Sequence, residues 1–107
     1  MKIKWSPLAI ERLSTIAEWI AADRPDAADR LVEEVFAAIK RLGQFPKSGR
    51  EVPEFQRPDL REIIYGKYRI IYRVRKNSVE ILTIRHSLQL LDEHELGEAA
   101  SGSTTDE

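Results

Sequence analysis

The 107-residue chain has no cysteine, which excludes disulfides, thiolate nucleophiles and sulfur-ligated metal sites. That absence suits a reducing compartment, so a cytoplasmic location is expected. Its N-terminus, MKIKWSP, lacks the apolar stretch of about 7–15 residues that marks a secretory signal. No segment approaches the ~20 consecutive apolar residues of a membrane span, and no membrane association is expected. A P-loop, a GxSxG elbow and a dinucleotide fingerprint are all missing. Only two histidines are present, and with scattered carboxylates they make no recognisable metal site. No metal or cofactor is therefore expected.

Charge is also absent where it is most informative. Residues 86–107 hold no Lys or Arg and carry 6 acidic side chains. Residues 40–85 carry 12 basic and 5 acidic side chains, although the whole chain has a formal charge of only −1. The basic middle predicts attraction to an anionic partner. At this length there is room for one domain with one compact core, and any site should be a shallow groove or an exposed face.

Periodicity orders the elements. Lys2 to Trp5 alternates and reads as a first strand. Ser6-Pro7 is a helix start, with a hydroxyl cap followed by proline in the first turn. Ala9, Leu13, Ile16 and Ile20 recur at helical spacing and predict a helix over 7–22. Asp23-Arg24-Pro25 breaks it. A second helix starts near Pro25 or Asp26, with an apolar stripe of Ala28, Leu31, Val35, Ile39 and Leu42. Acidic residues sit early in it, basic ones late, and Gly43 marks its end. The short break predicts an αα-hairpin.

Residues 43–59 hold two glycines and three prolines and read as a structured loop, with Phe45 expected to tuck against the core. Three strands follow, over about 61–65, 68–75 and 79–85, with a tight turn at Gly66-Lys67. Strict alternation puts Tyr68, Ile70, Tyr72 and Val74 on one face and Arg69, Ile71, Arg73 and Arg75 on the other. It likewise separates Val79, Ile81 and Thr83 from Glu80, Leu82 and Ile84. Leu88, Leu90 and Leu91 open a short helix through His94. Residues 1–91 are thus expected to form one domain, and 92–107 an acidic, partly disordered tail. The fold class is α+β, with order β-α-α-β-β-β and the helical hairpin on one face of a small antiparallel-rich sheet.

Several pieces of the chain resemble one family. They are Trp5–Ala9 (WSPLA), Trp19-Ile20, Pro25 with Ala27-Ala28, Leu42, Phe45-Pro46 and Gly49-Arg50. The sheet adds Arg61-Glu62, Tyr68-Arg69-Ile70-Ile71-Tyr72 and Ile84-Arg85-His86. In this order they resemble the ParE branch of the RelE/ParE toxins of type II toxin–antitoxin (plasmid stabilisation) systems. The resemblance implies the β-α-α-β-β-β fold and a cognate ParD-like antitoxin in a hetero-oligomer. It also implies that operator DNA is bound only through the antitoxin. ParE-like toxins are associated with inhibition of DNA gyrase, which would need no catalytic residue in this chain. RelE-like toxins cut mRNA in the ribosome, and for that chemistry the candidates are Arg61, Arg69 and His86.

The expected target-binding residues are Arg61, Arg69, Arg73, Arg85 and His86. Guanidinium forks suit phosphate and carboxylate, and His86 is the candidate general acid or base. Alanine in place of Arg69 is expected to reduce toxicity without unfolding the protein. The resemblance points to Trp19, Val32, Phe36 and Arg50 as antitoxin-binding. Many relatives carry a basic residue just after the histidine, where this chain has Leu88 and Gln89. That departure motivates a third reading, a relative that binds antitoxin without being toxic.

Overall fold

In a computed structural model, which describes residues 1–88 and 91, the chain forms two helices and one five-stranded sheet. Strand β1 is Lys2–Trp5, helix α1 is Pro7–Ala21 and helix α2 is Pro25–Leu42. The remaining strands are β2 (Arg50–Glu51), β3 (Leu60–Tyr65), β4 (Tyr68–Val74) and β5 (Ser78–His86). The sheet order is β1-β5-β4-β3-β2. β1 runs parallel to β5, and the other pairs are antiparallel. The β-α-α-β-β-β order is thus present, with β2 as a two-residue addition inside the long loop. Of the expected helix through His94, Leu88 lies in a turn and Leu91 in no helix, while the rest of it and the tail at 92–107 lie outside the described residues.

Ser6 joins the first two elements to the sheet. Its hydroxyl accepts from the Ala9 N–H at 3.0 Å as a helix N-cap and donates to the Leu82 carbonyl at 2.7 Å. Its own N–H donates to the Ile81 carbonyl at 2.9 Å. The start of α1 is therefore clamped to the middle of β5. α2 opens on Pro25 without a side-chain cap and ends at Gly43, whose backbone is right-handed.

A β-bulge sits at that clamp. Tyr72 pairs with Ile81 while the adjacent Ile71 pairs with Thr83, so Leu82 is an extra residue on β5. The inserted residue reverses the alternation beyond it. Ile84 consequently joins Val79 and Ile81 in the helix-side core, where strict alternation puts it with Leu82.

Both faces of the sheet are covered. The helix side buries Ala9, Leu13, Val35, Ile39, Leu42, Ile70, Tyr72, Val79, Ile81 and Ile84 as one cluster. On the opposite face Val52, Leu60, Ile71, Leu82 and Leu91 make a second, smaller cluster with Phe55 against it. The 43–59 loop therefore folds over the second face. It is held by polar anchors. The Tyr72 hydroxyl donates to the Pro46 carbonyl at 2.8 Å and accepts from the Gly49 N–H at 2.9 Å. A Cβ at Gly49 would lie 2.5 Å from the Glu62 carbonyl oxygen and 2.6 Å from the Tyr72 hydroxyl, so only glycine fits this approach. Phe45 does not tuck in: it is 58% exposed. Its N–H bonds the Arg41 carbonyl at 2.9 Å, which extends the end of α2 by a turn and leaves the ring outside. Gly66 takes φ +56° in the β3–β4 turn, the left-handed conformation that glycine tolerates.

Candidate functional site

The register of β3, β4 and β5 sorts their polar side chains into two groups on the face away from the helices. At one end Ile64, Arg69 and Arg85 form a cross-strand row. At the other end the row is Leu60, Arg73 and Glu80. Between them is the row of Glu62, Ile71 and Thr83, with Ile71 in the second apolar cluster. β4 thus carries two arginines, four residues apart, at the two ends of one covered face.

Arg69 is 5% exposed and sits between two carboxylates. Its Nε donates to Glu62 Oε1 at 2.7 Å. Its Nη1 and Nη2 form a fork onto the two oxygens of Glu54, each at 2.8 Å. The other oxygen of Glu62 accepts from Arg50 Nε at 2.6 Å across the β2–β3 pair. Glu54 also accepts from the Leu91 N–H at 2.9 Å. The Arg69 hydrogen bonds hold the Glu54 carboxyl down to about 2, outweighing a burial effect of opposite sign. The Arg69 guanidinium is correspondingly pushed further up, first by its bonds to Glu54, against desolvation. Both shifts describe one matched ion cluster.

Arg73 is similarly buried, at 7% exposed, but is poorly matched. Its nearest carboxylate is Asp59, with Nε 3.8 Å from Oδ2. That carboxylate is already engaged by Arg57, whose fork reaches it at 3.1 and 2.8 Å. Arg75 contacts Glu80 at 3.3 Å. The Arg73 Nε has no hydrogen-bond acceptor. Burial pulls its protonation downward, with Arg75 and Arg57 adding to that and Asp59 and Glu80 offsetting part of it.

On the other side of the molecule, Trp5, Ile10, Leu13, Ser14, Ala17, Val32 and Phe36 line an apolar groove between α1 and α2. The Trp5 and Phe36 rings meet at 5.1 Å, tilted by 52°. Ile10 and Phe36 are about half exposed.

Residues 3–91 match the family model for the ParE toxin of the type II toxin–antitoxin system parDE. The chain belongs to the ParE toxin family. Among curated relatives, Y4kP of Sinorhizobium fredii is 37% identical over 90 residues, covering 82% of this chain and 90% of that protein. Toxin RelE2 of Caulobacter vibrioides is 30% identical, covering 83% and 98%. Toxin RelE3 of the same organism is 29% identical, covering 81% and 95%. A solved chain of the chromosomal ParDE system from P. aeruginosa superposes with a TM-score of 0.67 at 24% identity, covering 80% of this chain and 95% of that one, which shows the shared fold.

With the ParE fold in place, the residues expected at the site can be located. Arg69 and Arg73 share the face opposite the helices, and Arg85 is the cross-strand neighbour of Arg69. Arg61 is not with them. It pairs with Tyr72 of the helix-side core and donates to the carbonyls of Pro58 at 3.0 Å and Gly49 at 2.8 Å, bracing the loop. His86 pairs with Tyr68, with ring centroids 6.1 Å apart edge-on, and its Nδ1 accepts from the Leu88 N–H at 3.2 Å. Arg61, Arg69 and His86 therefore do not converge. The four expected antitoxin contacts are likewise divided. Val32 and Phe36 share the helical groove. Trp19, 79% exposed, lines a separate depression with Ile20, Asp23 and Arg24. Arg50 is on the edge strand β2.

The carboxylates were the residues that sequence reasoning underweighted. Residues 40–85 contain five acids, Glu51, Glu54, Asp59, Glu62 and Glu80. Four of them, all but Glu51, are in ion pairs with arginines. The signal was their scarcity: few acids inside a strongly basic segment are disproportionately drawn into pairs. Among the described residues no cluster suited to a metal ion occurs, and no helix is long and apolar enough to cross a membrane.

Proposed function

We propose that this ParE-family toxin inhibits DNA gyrase, promoting persistent enzyme–DNA breaks that block replication, and that it cleaves no bond itself. The main support is the separation of Arg61, Arg69 and His86. An endonuclease has to set a base for the 2′-hydroxyl, a charge clamp for the phosphate and an acid for the leaving oxygen around one phosphodiester. Here Arg61 braces a loop, Arg69 is occupied by two carboxylates, and His86 belongs to the Tyr68 side of β5. Target contact falls to Arg73, Arg85 and His86, while Arg61 and Arg69 keep the loop and the face in shape.

A cognate ParD-like antitoxin neutralises the toxin by laying an amphipathic helix into the α1–α2 groove. Val32 and Phe36 line that groove, with Trp19 and Arg50 as outlying contacts. Operator DNA is reached only through that antitoxin. The RelE names of the two Caulobacter vibrioides relatives favour a second reading, ribosome-dependent mRNA cleavage. The experiment is a gyrase supercoiling and DNA-cleavage assay run beside a translating-ribosome mRNA cleavage assay. Trapped DNA breaks with intact mRNA are expected. Codon-linked mRNA cuts with normal gyrase would overturn the reading. Silence in both, with antitoxin binding retained, would leave the non-toxic reading that Leu88 and Gln89 suggest.

A further inference from the structure

The α1–α2 groove is apolar inside and charged along its edges. Its helical lining is Ile10, Leu13, Ser14 and Ala17 on α1, with Val32 and Phe36 on α2. On a helix, side chains three and four positions apart share a face. The charged residues at those spacings are Glu11 and Glu18 beside Ser14, Asp29 beside Val32, and Glu33 and Lys40 beside Phe36. All five are exposed. Each helix therefore edges the groove with two acids, and a single lysine joins them near the end of α2. Lys4, next to Trp5 in β1, alternates to the other side of that strand. The edge charges decide what the groove can take. The chain's own residues 86–107 carry 6 acidic side chains and no Lys or Arg, so like charge keeps them out. A second copy set hairpin to hairpin would bring one acidic edge against another.

We propose that the segment received by this groove is a basic amphipathic helix of a partner chain, with an apolar stripe and Lys or Arg on both flanks. The proposal rests on the reading that a ParD-like antitoxin helix occupies the groove, and it adds the charge by which that helix is chosen. The apolar stripe supplies the buried contact. The edge charges act on the choice of partner and on the rate of association, because a wrongly charged helix meets repulsion along both edges.

The test uses two synthetic helical peptides with the same stripe of Leu and Ala, one flanked by Lys and the other by Glu. Each is titrated into the full chain at low and at high salt, with binding read by NMR from the indole resonance of Trp5, which lines the groove. The Lys-flanked peptide should bind at least tenfold more tightly at low salt, and the gap should narrow at high salt. Replacing Glu11, Glu18, Asp29 and Glu33 together by Lys should reverse the order. The milder set Glu11→Gln, Glu18→Gln, Asp29→Asn and Glu33→Gln should erase the preference, and it keeps the test valid should the fourfold reversal fold poorly. Phe36→Asp should abolish binding of both peptides. Equal affinities, or a preference for the Glu-flanked peptide, with binding lost in Phe36→Asp, would overturn the proposal and leave the groove reading standing. Binding that ignores Phe36→Asp, or no binding of either peptide, would overturn both.

Discussion

Arg69 and Arg73 lie on one strand, face the same way and are almost equally buried, yet their environments have opposite character. Arg69 has a carboxylate on each side, one from the neighbouring strand and one from the loop. Arg73 has a share of one carboxylate that another arginine already holds. The same residue type four positions on therefore changes from a cluster centre to a cation in deficit. Burial alone says little about what an arginine does, because the surrounding acceptors decide whether its charge is matched. The first is suited to holding the fold, while the second is left incompletely paired.

The largest effect should come from Arg69→Met. It would leave the fully buried Glu62 with Arg50 as its remaining arginine partner, and release Glu54 and the loop. Removing one partner of a buried pair typically costs about 3–5 kcal/mol. Urea denaturation should show a loss of that size, partly recovered in the double variant with Glu62→Gln. A loss below about 1 kcal/mol would collapse the distinction between the two arginines. This replaces the expectation that Arg69 can be removed without harm to the fold: its side chain is an internal part, not an exposed contact.

An acid titration sharpens the same point. Glu54 is lowered from 4.5 to about 2, chiefly by its hydrogen bonds to Arg69. The folded state thus binds fewer protons than the unfolded state in that window. The stabilisation is fully present above about 4.5 and is lost as pH falls toward 2. Glu54→Gln should flatten the stability–pH curve between those two values, as read by thermal melts across the acid range. An unchanged slope would mean that the Arg69 cluster does not carry the acid sensitivity.

The smallest effect should be Arg73→Met. Replacing an incompletely paired buried charge with an apolar side chain of similar length should leave stability within about 1 kcal/mol of the parent or raise it slightly. Urea denaturation measures this. A loss approaching that of Arg69→Met would show Arg73 to be structurally matched after all.

Much of the architecture was legible because its signals are local. The Ser6-Pro7 start, the stripe from Ala28 to Leu42 and the Gly66 turn each need only a few neighbouring residues, and the element boundaries agree within a residue or two. The bulge at Leu82 was not legible. Residues 81–84 read Ile-Leu-Thr-Ile, and such a run carries no alternation from which a one-residue phase change can be seen. Strand β2 was hidden by its length of two residues. Phe45 was misplaced because an aromatic ring between turns says nothing about which polar groups anchor the loop. The basic sheet was legible as a site, but its members were not separable: Arg61 belongs to the loop brace, and His86 to the Tyr68 side.

The sequence by itself determined the order of elements, the helical hairpin and the basic sheet, and its motifs carried the resemblance to the ParE toxins. All of these follow from short-range spacing and composition. Only the tertiary structure decided which arginine is satisfied. Glu54 reaches Arg69 from 15 residues away along the chain, over a loop anchored by Tyr72, while Asp59 is claimed by Arg57 before Arg73 can share it fully. Which arginine meets which carboxylate depends on where the loop lands on the sheet, a contact between distant segments that short-range spacing does not encode.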